Sequence, residues 1–158
     1  MSRSDRPALI LVTGSRALAG HAEARAWLRA ELDARRPAVV VTGDARGPDR
    51  WAVQHVLGGV PWVYRLDGST TDGFGDRIGA WAGEPAPMRG TPAHRRWPLV
   101  RNAAMVAEVA RTVGSYDVTV LALRCADATT HGTEHTIGLA RRAGLAVVER
   151  VFAREAGR

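Results

Sequence analysis

Cysteine is nearly absent from this chain: Cys125 stands alone among 158 residues. That excludes an internal disulfide and any Cys-based metal cluster. Lysine is missing altogether, so all 22 basic residues are arginine and the formal net charge is +6. Arginine suits bidentate phosphate contacts better than lysine does. The arginines are spread along the chain, however, and an Ala- and Gly-rich chain without lysine also fits biased codon usage. Charge thus favours a phosphate-bearing small molecule over nucleic acid. No apolar run approaches membrane-spanning length, and no basic-then-apolar leader opens the chain, so a cytoplasmic protein with no membrane partner is expected. Gly-x-x-x-x-Gly-Lys-Ser/Thr and Gly-x-Gly-x-x-Gly are both lacking, which argues against a Walker-type NTPase and a standard dinucleotide dehydrogenase. The histidines at 21, 55, 94, 131 and 135 form no helical ligand pair with an adjacent acid. Neither a metal nor a cofactor is expected.

What remains is the composition of an ordinary globular protein, 46% hydrophobic and 24% charged, and the length suits one domain over residues 1–158. Five short apolar runs read as strands: Ala8–Val12, Ala38–Val41, Val60–Leu66, Asp117–Leu123 and Leu145–Val148. Helical spacing marks His21–Arg36, with Ala24, Trp27, Leu28 and Leu32 on one stripe and Glu31 four residues before Arg35. Pro48 suits the first position of a second helix that ends near Leu57 and Gly58. Pro98 opens a third helix, and a fourth runs through Ile137 to Gly144. The remainder after Val148 reads as a tail. Residues 67–97 form an irregular insertion in which Trp81 and Trp97 argue against full disorder, and a lid or interface element is expected there. Strands alternating with helices predict an α/β fold of three layers, α/β/α, around a mostly parallel five-stranded sheet. With right-handed crossovers and the order 3-2-1-4-5, ligands bind beyond the carboxyl ends of the strands where the order reverses.

Three polar, Gly-containing loops converge there. Thr13-Gly14-Ser15-Arg16 offers a tight turn, a hydroxyl and a guanidinium. Gly43-Asp44-Ala45-Arg46-Gly47-Pro48-Asp49 leads from a strand into a helix N-terminus, a geometry that suits an anion or only a βα turn. In Asp127–Glu134, His131 is a candidate phosphate donor, and Gly132 with Thr133 forms a phosphate cradle, Thr133 also suiting an N-cap. Arg101 and Asn102, in the first turn of the third helix, are candidates for phosphate or base. Asp49 complements a helix dipole, while Asp44 suits a ribose hydroxyl or a water. Glu134 and Asp44 are the candidate catalytic carboxylates.

These residues resemble a known family. Val12-Thr13-Gly14-Ser15-Arg16, Gly43-Asp44-Ala45-Arg46-Gly47-Pro48-Asp49-Arg50-Trp51-Ala52, Arg101-Asn102-Ala103-Ala104-Met105 and His131-Gly132-Thr133 are similar in content and order to the YspA-like, cpYpsA-related branch of the SLOG superfamily. The resemblance implies a Rossmann-like domain that binds nucleotides or nucleotide-derived ligands such as ADP-ribose, and that self-associates. Phosphates would rest on the Gly14, Gly43 and Gly132 loops, with Arg16, Arg46 and Arg101 as charge partners. Relatives include the cytokinin-activating phosphoribohydrolases, which look like Pro-Gly-Gly-x-Gly-Thr-x-x-Glu at the last loop. Here Thr136 stands at that Glu position and Glu134 lies two residues early; hydrolysis of a nucleotide N-glycosidic bond is the alternative function, and it needs Glu134 or Asp44 beside the anomeric carbon. The DNA-processing protein DprA shares the Gly-Ser-Arg and Arg-Asn segments. Single-stranded DNA binding is therefore the third reading, disfavoured because nothing in the chain supplies an aromatic platform and a contiguous basic groove.

Overall fold

The computed structural model describes residues 5–56, 58–128 and 131–155. Every apolar run read from the sequence is a strand, and the sheet has the order β5-β4-β3-β2-β1-β6-β7. β1 (Ala8–Gly14), β2 (Val39–Thr42), β3 (Val60–Tyr64), β6 (Asp117–Cys125) and β7 (Ala146–Phe152) make the parallel part, in the expected order. β1 is its centre. Alternate residues of β1 face opposite ways, as the strand period requires. Ile10 and Val12 pack with Leu28 and Leu32 of α1 (Ala22–Arg35) and Trp51 and Ala52 of α2 (Pro48–His55). Leu9 and Leu11 pack with Met105, Val106 and Val109 of α3 (Pro92–Arg111) and Ala140 of α4 (His131–Arg142). The result is a Rossmann-like α/β/α sandwich. No helix among the described residues is long and apolar enough to cross a membrane.

Several boundaries differ from the sequence reading. The sheet has seven strands, not five, because residues 67–97 are not simply irregular. They contain β4 (Ser69–Thr71) and β5 (Arg77–Ala80), an antiparallel hairpin that extends the sheet beyond β3. The same stretch contains the first turns of α3. That helix starts at Pro92 behind the N-cap Thr91, whose hydroxyl accepts from the His94 N–H, and Pro98 lies inside it. β3 stops at Tyr64 rather than Leu66, and β7 runs on to Phe152 where a tail was expected. His21 and Arg36 are the caps of α1, Arg36 taking a left-handed φ of 44°. Glu31 and Arg35 do pair, at 3.0 Å. The expected α2 end at Leu57 and the loop residues Thr129 and Thr130 lie outside the described residues.

Both tryptophans of the insertion fasten the hairpin to α3. Trp81 Nε1 donates to the Arg65 carbonyl at 2.6 Å, and Trp97 Nε1 donates to the Leu66 carbonyl at 2.7 Å. Their ring centroids are 4.9 Å apart. Trp97 is buried and Trp81 half-buried, and each satisfies a loop carbonyl at once. They serve as clamps within this domain.

Candidate functional site

β1 is flanked by β2, which feeds α2 on one face, and by β6, which feeds α4 on the other. The loops leaving β1 and β6 therefore part in opposite directions, and a crevice opens between them. It is a cleft of about 710 Å³, walled by the end of β1, the start of α4 and one face of α3. Thr13, Gly14, Ser15, Arg16, Asp49, Arg101, Asn102, His131, Gly132 and Thr133 line it. Of the residues singled out from sequence, Gly43, Asp44, Arg46, Gly47 and Glu134 do not.

Local physics accounts for that division. Asp49 is buried at the N-terminal turn of α2, and its carboxylate accepts the Ala45 N–H at 3.2 Å. The Gly43–Asp49 loop, expected to cradle a phosphate, thus closes around an anion of its own. A Cβ on Gly43 would stand 2.8 Å from both the Asp49 Oδ2 and the Arg101 Cζ. Glycine is needed there because the carboxylate and the guanidinium both lie where a Cβ would stand. Gly47 takes a φ of 87° as the N-cap of α2. Gly14 is a packing glycine too, since a Cβ would stand 2.6 Å from the Pro48 Cβ. Arg46 is exposed.

Arg101 organises the floor. Its residue is 4% exposed, its Nη1 donates to Asp44 at 2.7 Å, and its Nε and Nη2 donate to the Asn102 Oδ1 at 3.2 Å. Asp44 also accepts the Leu66 N–H at 3.5 Å. Asp44 therefore fixes Arg101 and the loop after β3 rather than facing the cleft. Burial pushes the Asp49 carboxyl up to about 6, against the pull of the Arg101 charge and the Ala45 N–H. The like charge of Asp44 nearby raises it further, and a hydrogen bond from the Thr42 hydroxyl lowers it slightly. A carboxyl poised near neutrality in a cleft is a group able to carry or release a proton.

The opposite wall is the start of α4, whose first-turn amides have no intrahelical acceptor. Thr133 is the third residue of that helix, so it is not the N-cap. It is 4% exposed, lines the cleft, and its hydroxyl has no partner among the described residues. Thr13 across the cleft is 6% exposed and equally unpartnered. Ser15 accepts the Ala17 N–H at 3.2 Å, and its hydroxyl donates to no acceptor among the described residues. Arg16 has no carboxylate partner among the described residues. Thr136 is fully buried and donates to the Gly132 carbonyl at 2.9 Å, which turns it into the helix. Glu134 projects from the other side of α4, about half exposed, and pairs with Arg124 at 2.8 Å. The structure thus leaves the favoured catalytic carboxylate outside the cleft and places Asp49 inside it.

Sequence reasoning missed Arg95, Pro98, Leu99 and Met105 as cleft residues. Their spacing with Asn102 is one helical face. That signal was hidden by starting the helix at Pro98, which puts Arg95 in a loop. Among the described residues no three His, Cys, Asp or Glu side chains gather as a metal site. Compared with protein-family models, curated proteins and solved structures, the chain matches none.

Proposed function

We propose that this cleft binds a nucleotide or a nucleotide-derived ligand such as ADP-ribose, as the resemblance to the YspA-like branch of the SLOG superfamily implies. The observation that carries the reading is the pair Thr13 and Thr133, nearly buried residues that line the cleft beside the α4 N-terminus and whose hydroxyls have no partner among the described residues. Two hydroxyls facing a cleft beside a helix N-terminus, with Arg16 lining the same cleft, are complementary to phosphate oxygens. Pro98, Leu99 and Met105 supply an apolar wall for a base or sugar face. The test is calorimetric titration with AMP, ADP-ribose and adenosine. Phosphate-bearing ligands are expected to bind and adenosine to bind far more weakly. Thr133→Val, which keeps shape and removes the hydroxyl, is expected to weaken AMP about tenfold or more, the worth of a hydrogen bond to a charged group. Equal binding of AMP and adenosine would remove the phosphate seat.

A second reading, hydrolysis of a nucleotide N-glycosidic bond, is favoured by Asp49 alone. Its carboxyl lines the cleft and sits near pH 6, the poise of a general acid or base. Asp49→Asn should then abolish release of free base from a nucleoside monophosphate while preserving its binding. Intact nucleotide after prolonged incubation with the unmodified protein would leave only the binding function.

A further inference from the structure

The α3 wall of the cleft has polar ends and an apolar middle. Arg95, Pro98, Leu99 and Asn102 fall on one face at positions i, i+3, i+4 and i+7, and all four line the cleft. The Asn102 end lies at the start of α4, because Asn102 Nδ2 donates to the Gly132 carbonyl at 3.5 Å. Seven residues at the helical rise place Arg95 about 10 Å further along the same wall. Arg95 has no carboxylate partner among the described residues, unlike Arg101, Arg111 and Arg124.

The position of Arg95 in its helix matters as much as its lack of a partner. The first turn of α3 carries no acid, and His94, Arg95 and Arg96 follow one another near its N-terminal end. A helix dipole already makes that end positive, so cations there do not serve helix stability. They raise the local positive potential instead, at the end of the cleft away from the Thr133 hydroxyl. Leu99 and Pro98 fill the interval with apolar surface that no charged group would cross without cost.

Resting on the nucleotide reading above, we infer that the ligand carries two anionic groups, the first seated at the α4 N-terminus and the second held by Arg95 about two helical turns away along α3. The ligand class is a small nucleotide phosphorylated at two separate places, a nucleoside bisphosphate or a short phosphorylated dinucleotide. A monophosphate fills only half of the site.

The experiment is calorimetric titration of the full chain, at one fixed ionic strength, with AMP, adenosine 3′,5′-bisphosphate, 5′-phosphorylated diadenylate and adenylate oligonucleotides of increasing length. At least one of the two doubly phosphorylated probes is expected to bind tenfold or more tightly than AMP. Arg95→Gln should erase that advantage and leave the AMP affinity within twofold. Arg96→Gln, at a neighbour exposed like Arg95 but outside the cleft, should leave both unchanged. The inference is overturned if the doubly phosphorylated probes bind no better than AMP, or if the two variants weaken every probe alike, which is diffuse charge. An affinity that keeps rising with oligonucleotide length would make the cleft a strand path and overturns it also. Failure of all probes to bind the unmodified protein removes the nucleotide reading itself, an outcome distinct from a lost advantage of the second phosphate.

Discussion

Replacing Asp49 by Asn removes a carboxyl that folding carries from water into the protein, and the effect on stability must depend on pH. Burial raises this group from 3.8 to about 6. A group with a raised folded pKa contributes its stability fully below the unfolded value and loses it as pH rises through the folded one. The unmodified protein is therefore penalised increasingly between about pH 4 and pH 6, and carries the whole penalty above about pH 7. At about 1.4 kcal/mol per pH unit, the difference between the two states amounts to about 3 kcal/mol. For a domain of this size that corresponds to roughly 6–12 °C in Tm. Asn keeps the shape and an oxygen for the Ala45 N–H, and it has no charge to bury. Urea unfolding of both proteins at half-unit intervals from pH 4 to 8.5 separates this effect from other titrating groups, such as Glu149, which occur in both and cancel. The variant is expected to gain on the wild type steadily up to neutral pH and then hold its lead. An offset that stays constant across the range would refute the reasoning, because it would mean that the carboxyl is not transferred to a poorer solvent at all.

Three further outcomes are expected. Gly14→Ala pushes a Cβ against Pro48 and should destabilise by about 1–3 kcal/mol, the usual range for overpacking, read from urea midpoints. Gly43→Ala pushes a Cβ against both the Asp49 carboxylate and the Arg101 guanidinium, so thermal stability should fall and AMP affinity with it. A variant as stable as the parent would refute the close approach. Trp97→Phe leaves the Leu66 carbonyl without its donor, for a loss of about 1 kcal/mol, and amide exchange should accelerate in β4 and β5 before the rest of the sheet.

How much of this could be read from the chain depended on whether a local pattern matched the force that decides the structure. The parallel strands were legible because Leu9–Val12, Val39–Val41 and Val120–Leu123 are continuous apolar runs, the mark of strands covered on both faces. The hairpin was not. β4 is only Ser69-Thr70-Thr71, and β5 is Arg77-Ile78-Gly79-Ala80 with all four residues exposed, so neither carries an alternation to detect. Indole clamps distant in sequence hold them in place. The start of α3 was misplaced because Pro98 imitates a first helical residue, although Thr91-Pro92 is the stronger start signal. The end of β7 was hidden by Glu149 and Arg150, charges that read as a tail until Arg124 and Arg141 are seen to pair with Glu149. At the site, convergence of the loops followed from topology. Occupancy did not, since nothing in the spacing says that the Asp49 side chain folds back to the Ala45 N–H. Glu134 was favoured for its chemistry, but one residue along a helix is a rotation of about 100°, enough to turn it from the cleft that Thr133 faces.

The placement of Trp97 gives α3 a mechanical role. One flank of its first half grips the hairpin through that indole, while Arg95, Leu99 and Asn102 on another flank form a wall of the cleft. The helix is a common beam with two loads. Tightening at either side is felt at the other, since a packed helix shifts as a body rather than bending residue by residue. Reciprocity then requires that whatever steadies the sheet edge improves ligand affinity by the same factor by which ligand steadies the edge. Slow amide exchange in β5 on ligand addition, far from any atom the ligand touches, is how that shared beam would be heard.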